Sequence, residues 1–166
     1  MKIGEYSLIE HQLIRLRENG FKDIVINVGY LGEQIINALG DGKSYGVRIA
    51  YSREPQTGLE TGGGVLQALP LLGEAPFLLT NADIFCDYPY RQLADKRPAS
   101  VHLILVDNPD FKSDGDFSLQ GEKLGSEKTL TFAGISVFNK QLHNRRQPDN
   151  TIVVYGMISV LPTDWH

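Results

Sequence analysis

Phe21-Lys22-Asp23-Ile24-Val25-Ile26-Asn27-Val28 decides the fold class. Ile24, Val25, Ile26 and Val28 are β-branched and nearly continuous, without the alternation of a strand that keeps one face in water. Such a run fits a strand covered on both faces, as in a parallel sheet. Upstream, Leu8, Ile9, Leu13 and Leu16 recur at helical spacing among Glu10, Arg15, Arg17 and Glu18, and Asn19-Gly20 is a helix stop.

Downstream the pattern repeats. Residues 30–39 read as a short helix closed by Gly40 and Gly42, residues 47–51 as a short strand, and residues 52–57 as a polar loop around Pro55. Residues 62–72 are expected to be helical in their second half, with Pro70 near the end. Residues 77–80 form the next buried strand, 88–96 a helix and 101–106 a strand. This alternation demands crossovers, which implies an α/β fold with a three-layer, mostly parallel sheet. The chain opens on a helix rather than a strand. After Val106 the texture changes: the turn signals Asn108-Pro109-Asp110 and Asp114-Gly115-Asp116 bracket short strand-like pieces, an antiparallel excursion near residues 110–138. Residues 143–150 are polar and unpatterned, and residues 151–161 are strongly apolar.

A chain of 166 residues with 42% hydrophobic and 22% charged residues suits one globular domain without a disordered tail. The net charge of −4 supplies no electrostatic footprint for nucleic acid or anionic lipid. Cys86 is the single cysteine, which excludes an intramolecular disulfide and a Cys-rich zinc site. Met1-Lys2-Ile3-Gly4-Glu5 has no apolar run of a signal peptide, and no segment approaches 18 apolar residues, so a cytoplasmic setting is expected.

Two stretches carry chemistry. Glu60-Thr61-Gly62-Gly63-Gly64 opens an apolar segment, at a cost of about 1 kcal/mol per glycine if these lie inside a helix. A helix N-terminus facing a ligand and a tight turn with close helix–sheet packing both account for it. The run matches neither GxGxxG nor the Walker A pattern, and Thr61 also suits an ordinary N-cap. Asn81-Ala82-Asp83 ends an apolar strand at the sheet edge where α/β ligands bind. A carboxylate there is costly unless it is hydrogen-bonded or holds a metal, and Mg2+ is usually held by one or two carboxylates plus substrate phosphates; capping of the next turn is the alternative. Ile84-Phe85-Cys86 carries Asp87 away from Asp83. Cys86, His11 and His102 read as structural. Asp114, Asp116 and Glu122 suit a solvated loop, although Asp116, fixed between Gly115 and Phe117, also suits contact with a sugar hydroxyl. No HExxH or GxSxG motif occurs.

The run Phe21 through Ile35, Gly40-Asp41-Gly42, Gly46-Val47, Tyr51-Ser52-Arg53-Glu54, Leu59-Glu60-Thr61-Gly62-Gly63-Gly64 and Asn81-Ala82-Asp83 together resemble the sugar-1-phosphate nucleotidyltransferases. Asn108-Pro109, Gly115-Asp116-Phe117-Ser118-Leu119 and Leu130-Thr131-Phe132-Ala133-Gly134-Ile135 are similar to the N-acetylmuramate-α-1-phosphate uridylyltransferase branch, near the mannose-1-phosphate guanylyltransferases. The resemblance covers about residues 4–141. It implies a Rossmann-like sheet of the nucleotide-diphospho-sugar transferase type, with a partial domain over residues 1–142 and an atypical tail over residues 143–166. It implies that Glu60, Thr61 and Gly62 contact the nucleotide, that Asn81 and Ala82 shape the ribose side, that Asp83 ligates Mg2+, and that Asp116 and Gly134 line the sugar pocket. The partners would be UTP or another NTP and a sugar 1-phosphate, with no nucleic acid and no membrane. The reaction would be attack of the sugar phosphate on the α-phosphorus with loss of diphosphate, as in peptidoglycan recycling.

Residues 1–166 contain neither the family's first strand with its Gly- and Arg-containing loop and Pro-Lys-Pro segment, nor its second metal-binding Asp in an Asp-Val-Gly context; Asp164 is not given that role. The resemblance therefore implies a truncated chain with a central strand absent, leaving neighbours unpaired or rearranged, and little transferase activity alone. The other readings are a non-catalytic nucleotide- or sugar-phosphate-binding remnant and a mannose-1-phosphate guanylyltransferase.

Overall fold

The computed structural model describes residues 2–55, 61–98, 101–121, 123–140 and 157–162, with Thr61 and residues 157–162 by backbone alone. Two two-residue strands, β1 (Lys2–Ile3) and β2 (Tyr6–Ser7), pair antiparallel ahead of helix α1 (Leu8–Glu18), so a small hairpin precedes the helix on which the sequence seemed to open. Glu10 fixes the start of α1: its carboxylate accepts from the Ser7 amide at 2.7 Å and the Ser7 hydroxyl at 2.6 Å, satisfying a donor that helix geometry leaves orphaned. These bonds, foremost that from the Ser7 hydroxyl, hold the Glu10 pKa below its ordinary value. Asn19 ends the helix, its side-chain amide donating to the Arg15 carbonyl at 2.8 Å, and Gly20 follows at φ 93°.

Strand β3 (Phe21–Val28) has the bounds expected from its sequence. Helix α2 (Gly32–Leu39), β4 (Arg48–Arg53), α3 (Thr61–Ala68), β5 (Phe77–Asn81), β6 (Val101–Asp107), β7 (Phe117–Gln120), β8 (Lys123–Phe138) and β9 (Met157–Pro162) complete the order. One sheet runs β4-β3-β9-β5-β8-β6, with β7 on the outer part of β8. β3 and β4 pair parallel, and β9 is antiparallel to both β3 and β5. β8 is antiparallel to β5 and to β6. Four strands, β3 to β6, therefore run one way, while β8 and β9 insert between them in the opposite sense. The Rossmann-like strand direction is kept although most adjacent ladders are antiparallel. β7 and β8 form the antiparallel excursion. β3 and β5 are not left unpaired, because β9, from the apolar stretch near the end of the chain, lies between them.

Alternate residues of β3 and β5 face opposite layers. Ile24, Ile26 and Leu78 pack with Leu13 and Leu16 of α1 and Leu39 of α2. Val25, Phe77 and Leu79 pack with Val65 and Ala68 of α3. The three-layer arrangement follows from burying both faces of the sheet. α3 contains the whole glycine run in its first turn, where only the second half was expected to be helical, and a 3₁₀ turn at Leu69–Leu71 places Pro70 at its start. Residues 88–96 are not a helix: only a 3₁₀ turn at Tyr90–Leu93 forms. Pro89 disfavours helical geometry at Tyr88, and Tyr90 is drawn wholly into the core.

Candidate functional site

β3, β4 and β5 end together at one edge of the sheet, where β9 begins. In the ladders Asn27 faces Ser52 and Asn81 faces Met157, while Ile26 and Thr80 both face Ile158. Asn27 and Asn81 thus lie at one level on either side of β9, about 10 Å apart from two strand spacings. They follow Val25 and Leu79 by two, so they share the α3 face. The side-chain oxygens of Asn27, Ser52 and Asn81 are enclosed without a hydrogen-bond partner among the described residues. The Asn27 amide donates to Glu54 at 3.1 Å. A cleft of about 580 Å³ opens beside it between the β3–α2 turn and Arg53–Glu54, and Arg53 pairs with Glu33 across its mouth. Enclosed polar atoms at this edge mark a place where water or ligand groups complete the hydrogen bonding.

The structure brings Asn81 and Gly134 together. Thr80 faces Ile135 in the β5–β8 ladder, and Gly134 follows at φ 73°. A Cβ there would lie 3.0 Å from the Asn81 amide nitrogen and 2.5 Å from Ile84 Cδ1, so only glycine suits both the backbone and the space. Asp116 is tied to the same part of β8: it accepts from the Phe132 amide at 2.9 Å and from Lys112 at 2.9 and 3.0 Å. The Lys112 ammonium, then the Phe132 amide, hold the Asp116 carboxyl below its ordinary pKa. Asp116 is therefore a charged, oriented acceptor two residues along β8 from Gly134.

Asp83 stands two residues beyond β5. The segment after it alternates: Ala82, Ile84, Cys86 and Tyr88 pack on the core, and Asp83, Phe85, Asp87 and Pro89 face outward. Asp87 shares the outer side of Asp83, but the extended course carries it about 13 Å along. Asp83 makes no hydrogen bond or ion pair among the described residues. These contain no group of three or more His, Cys, Asp or Glu side chains able to cage a metal. One solvent-open carboxylate fits Mg2+, which keeps its waters and takes phosphate oxygens for most of its shell.

On the face shared by Asn27 and Asn81, Thr61 opens α3 and Gly62 lies half-buried in its first turn. A Cβ on Gly62 would meet nothing within 4 Å among the described residues. Glu60 lies outside the described residues, as do Glu122 and the segment 143–156. Cys86 is half-buried, His11 hydrogen-bonds the Ile3 carbonyl at 2.8 Å, and His102 lies in β6.

One group went unread in the sequence. Gln12 sits inside the apolar stripe of α1 and is 1% exposed. It donates to the Thr80 hydroxyl at 3.0 Å and the Tyr90 hydroxyl at 2.8 Å, behind the Asn81–Asp83 turn. A neutral polar residue four positions after Leu8 and four before Leu16 was the available signal.

Comparison with known proteins bears on the family and the fold. The nucleotidyl transferase family model matches residues 1–108. The N-acetylmuramate alpha-1-phosphate uridylyltransferase of Neisseria meningitidis serogroup B is 47% identical over 145 residues, covering 81% of this chain and 63% of that protein. The mannose-1-phosphate guanyltransferase of Aspergillus fumigatus is 38% identical over 118 residues, covering 68% of this chain and 32% of the relative. The chain thus spans less than two thirds of the length of either. Among solved structures, HddC from Yersinia pseudotuberculosis superposes with a TM-score of 0.71 at 16% identity, over 93% of this chain and 76% of that one. A glucose-1-phosphate thymidylyltransferase described as putative, from Bacillus anthracis, gives a TM-score of 0.71 at 18% identity, over 89% of this chain and 66% of that one. These likenesses establish the fold, and the family match and the sequence identities establish that the chain belongs to the nucleotidyl transferase family.

Proposed function

We propose that these residues serve nucleotidyl transfer from a nucleoside triphosphate to a sugar 1-phosphate, with UTP and N-acetylmuramate 1-phosphate as the substrates. The observation that carries the reading is the close approach of Gly134 to the Asn81 side chain beside the β5–β8 ladder, where an added Cβ would lie 3.0 Å from Asn81 Nδ2, with Asp83 open to solvent two residues further on. It joins the expected sugar side, ribose side and metal ligand at one sheet edge. The choice of uracil and a muramic sugar rests on the likeness to the Neisseria uridylyltransferase, with guanylyl transfer to mannose 1-phosphate as the alternative from the fungal relatives. A cytoplasmic setting follows from the substrates; no helix among the described residues is long and apolar enough to cross a membrane.

In this reading Glu60, Thr61 and Gly62 meet the nucleotide where the first amides of α3 are unpaired within the helix. Asn81 and Ala82 border the ribose. Asp116, its charge fixed by Lys112 and the Phe132 amide, accepts from a sugar hydroxyl, and Gly134 leaves room for the sugar ring. Bound Mg2+ would supply charge neutralisation at the phosphates, held by Asp83. The chain's own task is to align the sugar phosphate oxygen with the α-phosphorus, since this transfer depends on positioning and electrostatics rather than a covalent enzyme step.

The test is UTP binding to the purified chain by calorimetry, with and without Mg2+, beside Asp83→Ala, followed by diphosphate release with N-acetylmuramate 1-phosphate. Mg2+-enhanced binding lost in Asp83→Ala is expected. Binding indifferent to both Mg2+ and Asp83 overturns the metal assignment, and diphosphate release identifies a transferase over a binding module.

A further inference from the structure

The loop that carries Asp83 is held from behind by one face of α1. Gln12, Arg15 and Asn19 lie at spacings of three and four, a single stripe on the helix. Gln12 meets the loop where it leaves β5: its amide donates to Thr80 at 3.0 Å, with the Asn81 carbonyl at 3.5 Å. The same amide donates to Tyr90, where the loop re-enters the core, at 2.8 Å. Arg15 donates to the Tyr88 carbonyl at 3.1 Å, and the Arg91 amide donates to Asn19 at 3.0 Å. The hydroxyls of Thr80 and Tyr90 approach to 3.5 Å, and Cys86 lies 3.7 Å from the Tyr90 hydroxyl.

Gln12, Thr80 and Tyr90 are each at most 1% exposed. A buried amide with two donors is costly unless both are used. Here both find acceptors at the two ends of one loop, separated by ten residues. Beyond the turn at residues 82–83 the loop has no helix or strand bonding, apart from the Tyr90 amide donating to the Tyr88 carbonyl at 3.0 Å, until the 3₁₀ turn at Tyr90. Its course is set by the closure of its ends and by alternate side chains seated on the core. Asp83 occupies the first outward position after the closure.

We infer that Gln12 is the positioning residue for Asp83: by donating to Thr80 and Tyr90 it closes the 81–90 loop and keeps Asp83 facing outward at the carboxyl edge. The inference rests on the proposed metal role of Asp83, and its test separates the two. Gln12→Met keeps the length and burial but removes both donors. Thr80→Val and Tyr90→Phe each remove one acceptor, and Thr80→Ser keeps one. Cys86, the chain's single thiol, reports on the loop through its rate of reaction with a disulfide reagent. Opening of the loop without global unfolding should raise that rate about ten-fold in Gln12→Met. Thr80→Val and Tyr90→Phe should raise it by smaller factors, and Thr80→Ser should leave it unchanged, with far-UV dichroism constant throughout. Supporting groups around a metal ligand commonly govern about ten-fold or more in metal affinity. The Mg2+ enhancement of UTP binding should therefore fall by about that factor in Gln12→Met.

Wild-type thiol reactivity in Gln12→Met and Thr80→Val overturns the clamp. Faster thiol reaction with an unchanged Mg2+ enhancement overturns the link to Asp83. If wild-type protein has no Asp83-dependent Mg2+ enhancement, the metal reading and the link to Asp83 both fall, and the thiol rates still decide whether Gln12 closes the loop.

Discussion

Gly134→Ala is the sharpest probe of the junction between β5 and β8. Gly134 has φ 73°, a region that costs an L-residue roughly 1–2 kcal/mol. The new methyl would lie 2.5 Å from Ile84 Cδ1 and 3.0 Å from the Asn81 amide nitrogen. Both contacts are with side-chain ends, Ile84 Cδ1 and Asn81 Nδ2, which can partly relax, so overpacking adds about 1 kcal/mol, the low end of its usual range. The sum is about 2–3 kcal/mol, or roughly 4–12 °C in Tm for a chain of this size. Gly121, in the turn between β7 and β8, supplies the control: φ is 64° and a Cβ there meets nothing within 4 Å. Gly121→Ala should therefore carry the backbone cost alone, roughly 1–2 kcal/mol, so that Gly134→Ala loses about 1 kcal/mol more. Urea unfolding of the two variants, read as a shift in midpoint at constant slope, measures the difference. Equal losses in both would refute the close approach of β8 to Asn81, and with it the joining of the ribose and sugar sides.

Two pH dependences follow from the same contacts. Asp116 has a folded pKa below its unfolded value, so its contribution is present above about pH 4 and is lost as pH falls through the lower folded value; urea midpoints should drop across that acid range in the wild type and drop less in Asp116→Asn. Tyr90 is pushed up to about 12, foremost by burial, and Tyr45 likewise to about 12. The folded state then holds these protons more tightly than the unfolded chain, so stability should decline from about pH 10 toward 12, and Tyr90→Phe should reduce that decline without abolishing it.

The fold was legible where burial speaks through side chains. β3 announced itself because both of its faces are covered, so nearly every position must be apolar, and α1 did so because a single face is. Glycine and proline marked the turns after α1, α2 and β4. The 88–96 segment misled because its large side chains are buried without a helix: alternate residues of an extended loop are seated on the core, and Tyr90 reaches Gln12. The central place of β9 had no local signal, since an apolar run of that length states that a strand is buried but not which neighbours bury it. The site was legible at Asp83 and the glycine run, where costly residues sit at a strand or helix end. Its supports were less so. The pairing of Asp116 with Lys112, the backbone reversal at Gly134 and the Gln12 bonds depend on partners from 4 to 78 residues away, which spacing alone does not bring together.

Gly62 allows the two readings of the glycine run to be separated. Close helix–sheet packing requires that a side chain there collide with something, yet a Cβ on Gly62 meets nothing within 4 Å among the described residues, and its φ lies outside the left-handed region. Neither the backbone geometry nor the packing of the described residues calls for glycine at position 62. α3 persists despite the run because Val65 and Ala68 are buried against Val25, Phe77 and Leu79. Under these conditions Gly62→Ala should stabilise the protein by about 0.4–1 kcal/mol through helix propensity and a less flexible unfolded chain. If the first turn of α3 faces the nucleotide, the same methyl should also weaken UTP binding, because it stands where a ligand approaches the helix amides. Stabilisation with weakened binding is the pattern expected of a ligand-facing glycine. A loss of stability would return the run to a packing role, and stabilisation with unchanged UTP affinity would remove Gly62 from the nucleotide site.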